Sequence, residues 1–229
     1  MVYKMDNIED KKTSRKQRET DLRKQNIIEA AEKLFLANGY EDTTMSQIAN
    51  EAEFSKGTLY NYFKSKDDLY LAIGTKAYEI IIDYTKYFVE SKDPGVDQLK
   101  AVGYAYYEFT KNYPDHAHIF HDIDIKLPNI AQKAKDNLTV NEKEYLNRSE
   151  AYGEQFRDVI IKAIKTRSIR SDKDPLLIGF TLFMVTSGIM KELEQHQNTL
   201  DTMEFDGDDI IDFVFEMIAE GLKPREDKK

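Results

Sequence analysis

Residues 43–66 constrain the fold of this 229-residue chain more than any other stretch. Met45, Ile48, Ala49 and Ala52 recur at i, i+3, i+4 and i+7, which puts one apolar stripe on a short helix. Thr44, with Gln47 three residues on, makes a capping box at its start. Ser55 is placed to cap a second helix whose first turn holds Lys56, Gly57 and Thr58. On that helix Leu59 and Phe63 turn inward and leave Tyr60, Asn61 and Tyr62 outside. Two helices so short and so close in sequence must fold on a tight turn. The second starts with unpaired amides and the positive end of a helix dipole, on small, hydroxylic and basic residues that let a phosphate backbone come close. This is the pattern of a helix-turn-helix that reads DNA.

The hairpin is part of a longer ordered run. Ile27, Ile28, Ala30, Ala31, Leu34, Phe35, Gly39, Tyr40, Thr43, Thr44, Met45, Ile48 and Ala49 come first, and Ser55, Lys56, Gly57, Thr58, Leu59, Tyr60, Tyr62, Phe63 and Lys66 follow. Over these residues, about the first third of the chain, the sequence resembles the tetracycline-repressor (TetR) family of bacterial transcription regulators. Phe54 departs from it: the family more often has a small or aliphatic residue in the turn, so the turn packing should differ locally. The resemblance implies that Thr44, Ser55, Lys56, Tyr60 and Lys66 contact phosphates, and that Gly57, Thr58, Asn61 and Tyr62 reach base edges. None of these side chains fixes a base as firmly as a bidentate arginine, so the operator sequence is not legible from them.

The net charge of −9 conflicts with a DNA partner until it is divided along the chain. Residues 1–66 hold 12 Lys+Arg and 11 Asp+Glu, whereas residues 67–229 hold 21 and 31. Within residues 11–24, Lys11, Lys12, Arg15, Lys16, Arg18, Arg23 and Lys24 face only Glu19 and Asp21, a local excess able to neutralise phosphates. The acidic remainder repels DNA and helps keep one end of the molecule turned towards it. The chain has no cysteine, which excludes disulfides, thiolate metal sites and cysteine nucleophiles. Its charged start has no signal-peptide core, and no unbroken apolar run approaches the roughly 18 residues a bilayer demands. The expected location is the cytoplasm, with no membrane partner.

Three parts are expected: a polar arm over 1–20, a helix-turn-helix domain over 21–66 and a helical domain over 67–229. The first helix is placed near Asp21, with the stripe Ile27, Ile28, Ala31, Leu34 and Phe35, and with Gly39 as a left-handed C-terminal cap. Ser65-Lys66-Asp67-Asp68 opens a long helix to about Glu90. Breaks at Asp93-Pro94-Gly95, Tyr113-Pro114, Leu127-Pro128 and Asp174-Pro175 separate further helical patterns, and nothing alternates with period two for long enough to be a strand. The fold class is all-α: an N-terminal three-helix helix-turn-helix domain, then a larger helical domain for ligand binding and dimerisation.

The last two helices, from Pro175 to about Gln195 and from about Asp208 to Leu222, carry apolar residues on more than one face and need more than one packing partner. Phe180, Phe183, Ser187, Gly188, Ile210, Val214 and Met217 are the candidate residues of a homodimer interface. A two-fold reader of DNA requires such a pair. The resemblance also implies a small-molecule effector pocket, for which Tyr84, Phe88, Tyr104, Tyr107, Phe109, Phe120, Tyr145, Phe156, Phe183 and Met184 offer aromatic and flexible walls.

His116, His118 and His121, with Asp122 and Asp124, could form a polar helix face or, less economically, a metal site; no metal is assigned. No phosphate-cradling loop, dinucleotide fingerprint or nucleophile motif is present, so neither a cofactor nor an enzyme activity is expected. The reading is a ligand-responsive homodimeric regulator, most simply a repressor released from a palindromic operator by a small molecule. The alternatives are a helical DNA-binding protein without an effector, architectural or division-linked, which would lack a sizeable enclosed cavity, and a metal-dependent sensor or hydrolase using the His116–His121 cluster.

Overall fold

The computed structural model describes residues 14–133, 137–204 and 206–224, without the side chains of Asp124, Gln197, Asn198, Thr199 and Asp201. Among the described residues there are nine α-helices and one short 3-10 turn over Ile130–Gln132, and no strand. The chain divides into two compact units, residues 1–73 and 74–229. The division falls seven residues beyond the expected boundary, because Leu69, Tyr70, Leu71 and Ile73 at the start of the fourth helix are buried with the first unit.

The first unit contains α1 (Arg15–Asn38), α2 (Met45–Glu51), α3 (Lys56–Tyr62) and the first turns of α4 (Lys66–Glu90). Of the arm expected over 1–20, residues 1–13 lie outside the described residues. The rest is a correction: Ser14 accepts a hydrogen bond from the Gln17 N–H and caps α1, so the helix begins six residues before Asp21. Its first three turns bury nothing and are held by local pairs, Gln17 to Asp21 at 2.9 Å and Arg23 to Glu19 at 2.6 Å. The core begins at Ile27, where Ile27, Ala31, Ile48, Leu59 and Phe63 are fully enclosed. Phe35, Tyr40 and Tyr70 form a ring cluster with centroids 4.7 to 5.7 Å apart, which joins α1 and α4 around the chain turn at Gly39. Gly39 does take a positive φ, 81°, but its ψ of 164° is extended and not left-handed helical. That region is open almost only to glycine, so the residue type was read correctly and the conformation was not.

The second unit contains the rest of α4, then α5 (Val96–Asn112), α6 (Pro114–Lys126), α7 (Val140–Lys165), α8 (Pro175–Met203) and α9 (Gly207–Leu222). Pro114 occupies the first turn of α6, where its missing N–H costs nothing. Thr139 and Glu142 close a full capping box on α7. α8 runs two turns past the expected end near Gln195, since no proline or glycine intervenes before Glu204, whose φ of 57° ends it. Two apolar clusters fill the unit. One gathers Ala77, Ile81, Tyr106, Phe109, Phe120, Tyr152, Met190, Ile211 and Phe215 from six helices. The other gathers Leu99, Val102, Val159, Ile160, Ala163, Ile169 and Ile178.

By length and composition alone Pro175–His196 of α8, with a mean hydropathy of 1.5 and 17% of that window buried, is apolar enough to cross a bilayer, as one apolar helix of a helical regulator can be without being a span. Leu177, Phe180 and Met184 are 56%, 62% and 58% exposed along α8, and Phe213 and Met217 are 61% and 51% exposed on α9. Met184, Gly188 and Ile210 line one groove, so the two stripes adjoin. An apolar face of this kind on a helix with acidic and basic neighbours marks a contact surface.

Candidate nucleic-acid interface and effector cavity

α2 and α3 are fixed by their caps. The Thr44 side chain accepts from the Gln47 N–H at 3.3 Å, and Gln47 Oε1 accepts from the Thr44 N–H at 2.8 Å. Ser55 Oγ accepts from the Thr58 N–H at 3.1 Å and shares a hydrogen bond of 2.8 Å with Thr58 Oγ1. Between the helices Glu53 takes φ 58°, a left-handed turn residue that no sequence signal announced. Phe54, the departure in the turn, is half-buried, and its N–H bonds the Ala49 carbonyl at 2.9 Å.

Thr44, Ser55, Lys56, Gly57, Tyr60 and Asn61 are exposed, and Thr58 and Tyr62 are half-buried. Leu59 and Phe63, both at 0% exposure, anchor the opposite side of α3. The first turn of α3 therefore offers amides, a lysine and a glycine whose added Cβ would meet only Ser55 Oγ, at 3.8 Å. Lys66 is placed otherwise than the phosphate role suggests. Its ammonium donates to the Tyr40 carbonyl at 2.7 Å and the Glu41 carbonyl at 3.2 Å, and lies 4.2 Å from the centre of the Tyr40 ring. It ties α4 to the turn after α1, with one N–H left over. Lys24 of α1, counted in the basic excess of residues 11–24, stands 5.9 Å from the Phe63 ring at the end of α3.

The residues proposed as pocket walls do not share one site. Phe156 and Phe183 face an apolar cavity with a free volume of about 50 Å³, lined also by Leu99, Gly103, Tyr106, Tyr152, Leu182 and Phe215. Phe88 and Tyr104 line an open groove of about 600 Å³, and Tyr107 lines a cleft of about 300 Å³ with His121 and Met190. Phe109, Phe120 and Tyr145 are core: Phe120 and Tyr145 pack edge-on to Tyr78 at 4.9 and 5.4 Å. Tyr84 stacks beside Phe88 and meets Tyr113, and Met184 sits on the outer face of α8. Sequence reasoning missed Gly103, where an added Cβ would lie 2.4 Å from the Phe215 ring, and Lys100, the charged wall of the cavity.

The histidines do not converge. His118 is exposed, while the His121 ring pairs with the Tyr106 hydroxyl, and burial pushes its pKa down to about 4. Burial does the same to His116. Among the described residues no group of three His, Asp or Glu side chains is placed to share a metal ion. Tyr107 donates to Asp208 at 2.6 Å and Lys111 joins it at 2.9 Å, which holds the Asp208 carboxyl below the usual range and pins α5 to the start of α9.

Residues 27–73, the helix-turn-helix with its flanking turns, match the family described as bacterial regulatory proteins, tetR family. The chain belongs to the TetR family. As a TetR-family protein it is a helix-turn-helix, DNA-binding transcription regulator. The similarity extends beyond that domain. The transcriptional regulator YhgD of Bacillus subtilis is 28% identical over 180 residues, 78% of this chain and 88% of that protein. A tetR-family protein of Rhodococcus RHA1 has the same fold, with a TM-score of 0.66 at 15% identity over 93% of this chain and 100% of that one. FadR of Bacillus subtilis, solved in complex with stearoyl-CoA, gives 0.63 at 18% identity over 86% and 98%.

Proposed function

We propose that this TetR-family regulator is a homodimeric repressor that covers a palindromic operator and leaves it when a small molecule enters the second unit. The observation that carries the reading is the first turn of α3: capped, basic and open on the side away from its buried anchors Leu59 and Phe63. Lys56 and Tyr60 hold the phosphates, and Thr58, Asn61 and Tyr62 reach into the major groove. The homodimer reading is supported by the exposed stripes of α8 and α9, with Phe180, Gly188, Ile210, Val214 and Met217 at its centre and the exposed Leu177 and Phe213 beside them. A second copy is the economical cover for an apolar face on a helix pair in a protein that must present two α3 helices about one DNA turn apart. Its place of action is the cytoplasm, with the DNA.

The effector reading rests on the cavity between α5, α7, α8 and α9. It is far smaller than the several hundred Å³ typical of ligand sites, so a ligand must spread its walls. Two of those walls, Tyr106 and Tyr152, belong to the cluster that includes Ala77 and Ile81 of α4, and Tyr152 lies 6.0 Å from the Tyr78 ring. α4 also supplies Leu69, Tyr70 and Ile73 to the first unit. A ligand favouring the spread form shifts the population away from the one that fits DNA. That FadR of Bacillus subtilis was solved with stearoyl-CoA supports an effector with a long apolar part.

The test is a sedimentation experiment on the full chain alone and with duplex DNA, alongside the variant Phe180→Glu/Met217→Glu. The wild type should sediment as a dimer in both samples. The variant should sediment as a monomer and bind duplex at least tenfold more weakly. A wild type that stays monomeric at all concentrations would end the proposal.

A further inference from the structure

Lys100 is the charged side chain in the wall of the apolar cavity, and it also lines the open groove formed with Tyr87, Phe88, Lys92 and Tyr104. It is half-buried, and among the described residues no carboxylate lies within ion-pair distance of it. Asp97, one turn earlier on α5, lines the groove but not the cavity, and the Tyr104 hydroxyl donates to Asp212 of α9. A lysine between an apolar space and an open groove, with no carboxylate beside it, is available to pair with the charge of an anionic ligand. The remaining wall is aliphatic and aromatic, with Thr186 and the tyrosine hydroxyls as its polar groups.

We infer that the effector is an anionic amphiphile: a single slender apolar chain enters the cavity, and its negative head stops at Lys100, with the groove outside taking whatever the head carries. The inference rests on the reading of this cavity as the effector site. The narrow space favours one chain over fused rings, because Phe183 and Phe156 can turn aside along a thin path more easily than they can vacate a wide one. Lys92, on the rim, strengthens the attraction for a head with more than one negative charge. The head can be a bare carboxylate, which pairs with Lys100 at the mouth, or a larger head joined through a neutral thioester, whose phosphates would lie along the groove with Lys92 and Lys100.

The experiment compares dodecanoate, dodecanoyl-CoA, dodecanol and dodecylammonium by calorimetry on the full chain, all below their aggregation limits. The wild type should bind the two anions about tenfold more tightly than the alcohol, and the ammonium most weakly. Dodecanoyl-CoA should exceed dodecanoate if the groove takes the phosphate-bearing head, and should fall below it if Lys100 reads only a charge at the carboxyl end, because a thioester carries none there. Lys100→Met should abolish the preference for anions while leaving dodecanol binding unchanged, and Lys100→Glu should turn the preference towards dodecylammonium. Equal binding of anion and alcohol by the wild type, or an unaltered preference in Lys100→Met, overturns the inference and leaves the cavity as an effector site. Failure of all four probes to bind overturns both.

Discussion

Ser55 separates two roles that a single substitution usually confounds, because its hydroxyl caps α3 and, in the proposed complex, also meets a phosphate. α3 is only seven residues long, so its cap is a large part of what orders it. Ser55→Ala removes the acceptor for the Thr58 N–H and the partner of Thr58 Oγ1, and should cost about 1 kcal/mol. For a unit of this size, residues 1–73, that is a fall of roughly 4–8 °C in its melting. If fraying of α3 lowers the fraction competent to bind, the same 1 kcal/mol weakens duplex binding about fivefold. Ser55→Gly should cost only a few tenths of a kcal/mol. Ser55→Asp caps as well as serine and complements the helix dipole, so stability should hold or rise slightly, yet the new charge faces phosphate and should weaken binding by on the order of tenfold. The assays are thermal melting by circular dichroism and fluorescence anisotropy on a labelled duplex at low salt, where sequence-independent contacts dominate. The signature is a crossing of ranks: Asp above Ala in stability, Asp below Ala in affinity. Ranks that run in parallel through the series would refute the placement of Ser55 at the DNA surface.

Lys56→Ala should weaken binding to every duplex and reduce the salt slope by about one, whereas Thr58→Ala or Tyr62→Phe should change preference among sequences; anisotropy over a salt series separates them, and equal effects on all sequences from both kinds would reject the division of roles. Gly103→Ala drives its Cβ into the Phe215 ring and should cost about 1–3 kcal/mol in a urea melt; adding Phe215→Leu should recover most of it, and a single variant as stable as wild type would mean the contact is loose. His116 and His121 are held at pKa values of about 4 against 6.5 when unfolded, so unfolding takes up protons in that window. Stability should be full above pH 6.5 and fall towards pH 4 by on the order of 1–3 kcal/mol per ring, and His121→Gln should flatten the slope; a slope identical in the variant would assign it to other groups. Glu53→Gly should leave stability unchanged or raise it by up to about 1 kcal/mol, since the left-handed turn residue then carries no Cβ; a loss of stability in a thermal melt would show the Glu53 side chain contributes more than its backbone costs.

What could be read from the sequence was local. Caps at Thr44 and Ser55, the Ser65–Asp68 pair at the start of α4 and Pro114 in α6 are decided within four residues, and the structure has each. The stripes of α1 and α2 fixed which faces were buried because a helix leaves one rotation that hides them all. The pocket was poorly legible because aromatic content does not say which way a ring points once a helix is covered on several sides. Tyr104 and Tyr107 commit their hydroxyls to Asp212 and Asp208, more than a hundred residues away, and Tyr106 commits its own to His121. Such pairs depend on the rotation of one helix against another, which neither sequence segment encodes alone. Lys100 was overlooked for the same reason: it is one lysine among many until the helices around it close an apolar space. The extension of α1 to Arg15 was hidden by mixed charge, which suits an exposed helix laced with i, i+4 pairs as well as it suits an arm.

The central claim is that two copies of this chain present their α3 helices at a separation matched to the double helix. Selection of duplexes from a random pool by the purified protein, followed by measurement of protein copies per bound duplex, tests it directly. The account predicts recovered sequences with two inverted half-sites whose centres lie roughly 34 Å apart or somewhat more, each duplex held by a dimer or a pair of dimers. Recovery of no shared sequence, or of single half-sites occupied by one chain, would contradict it.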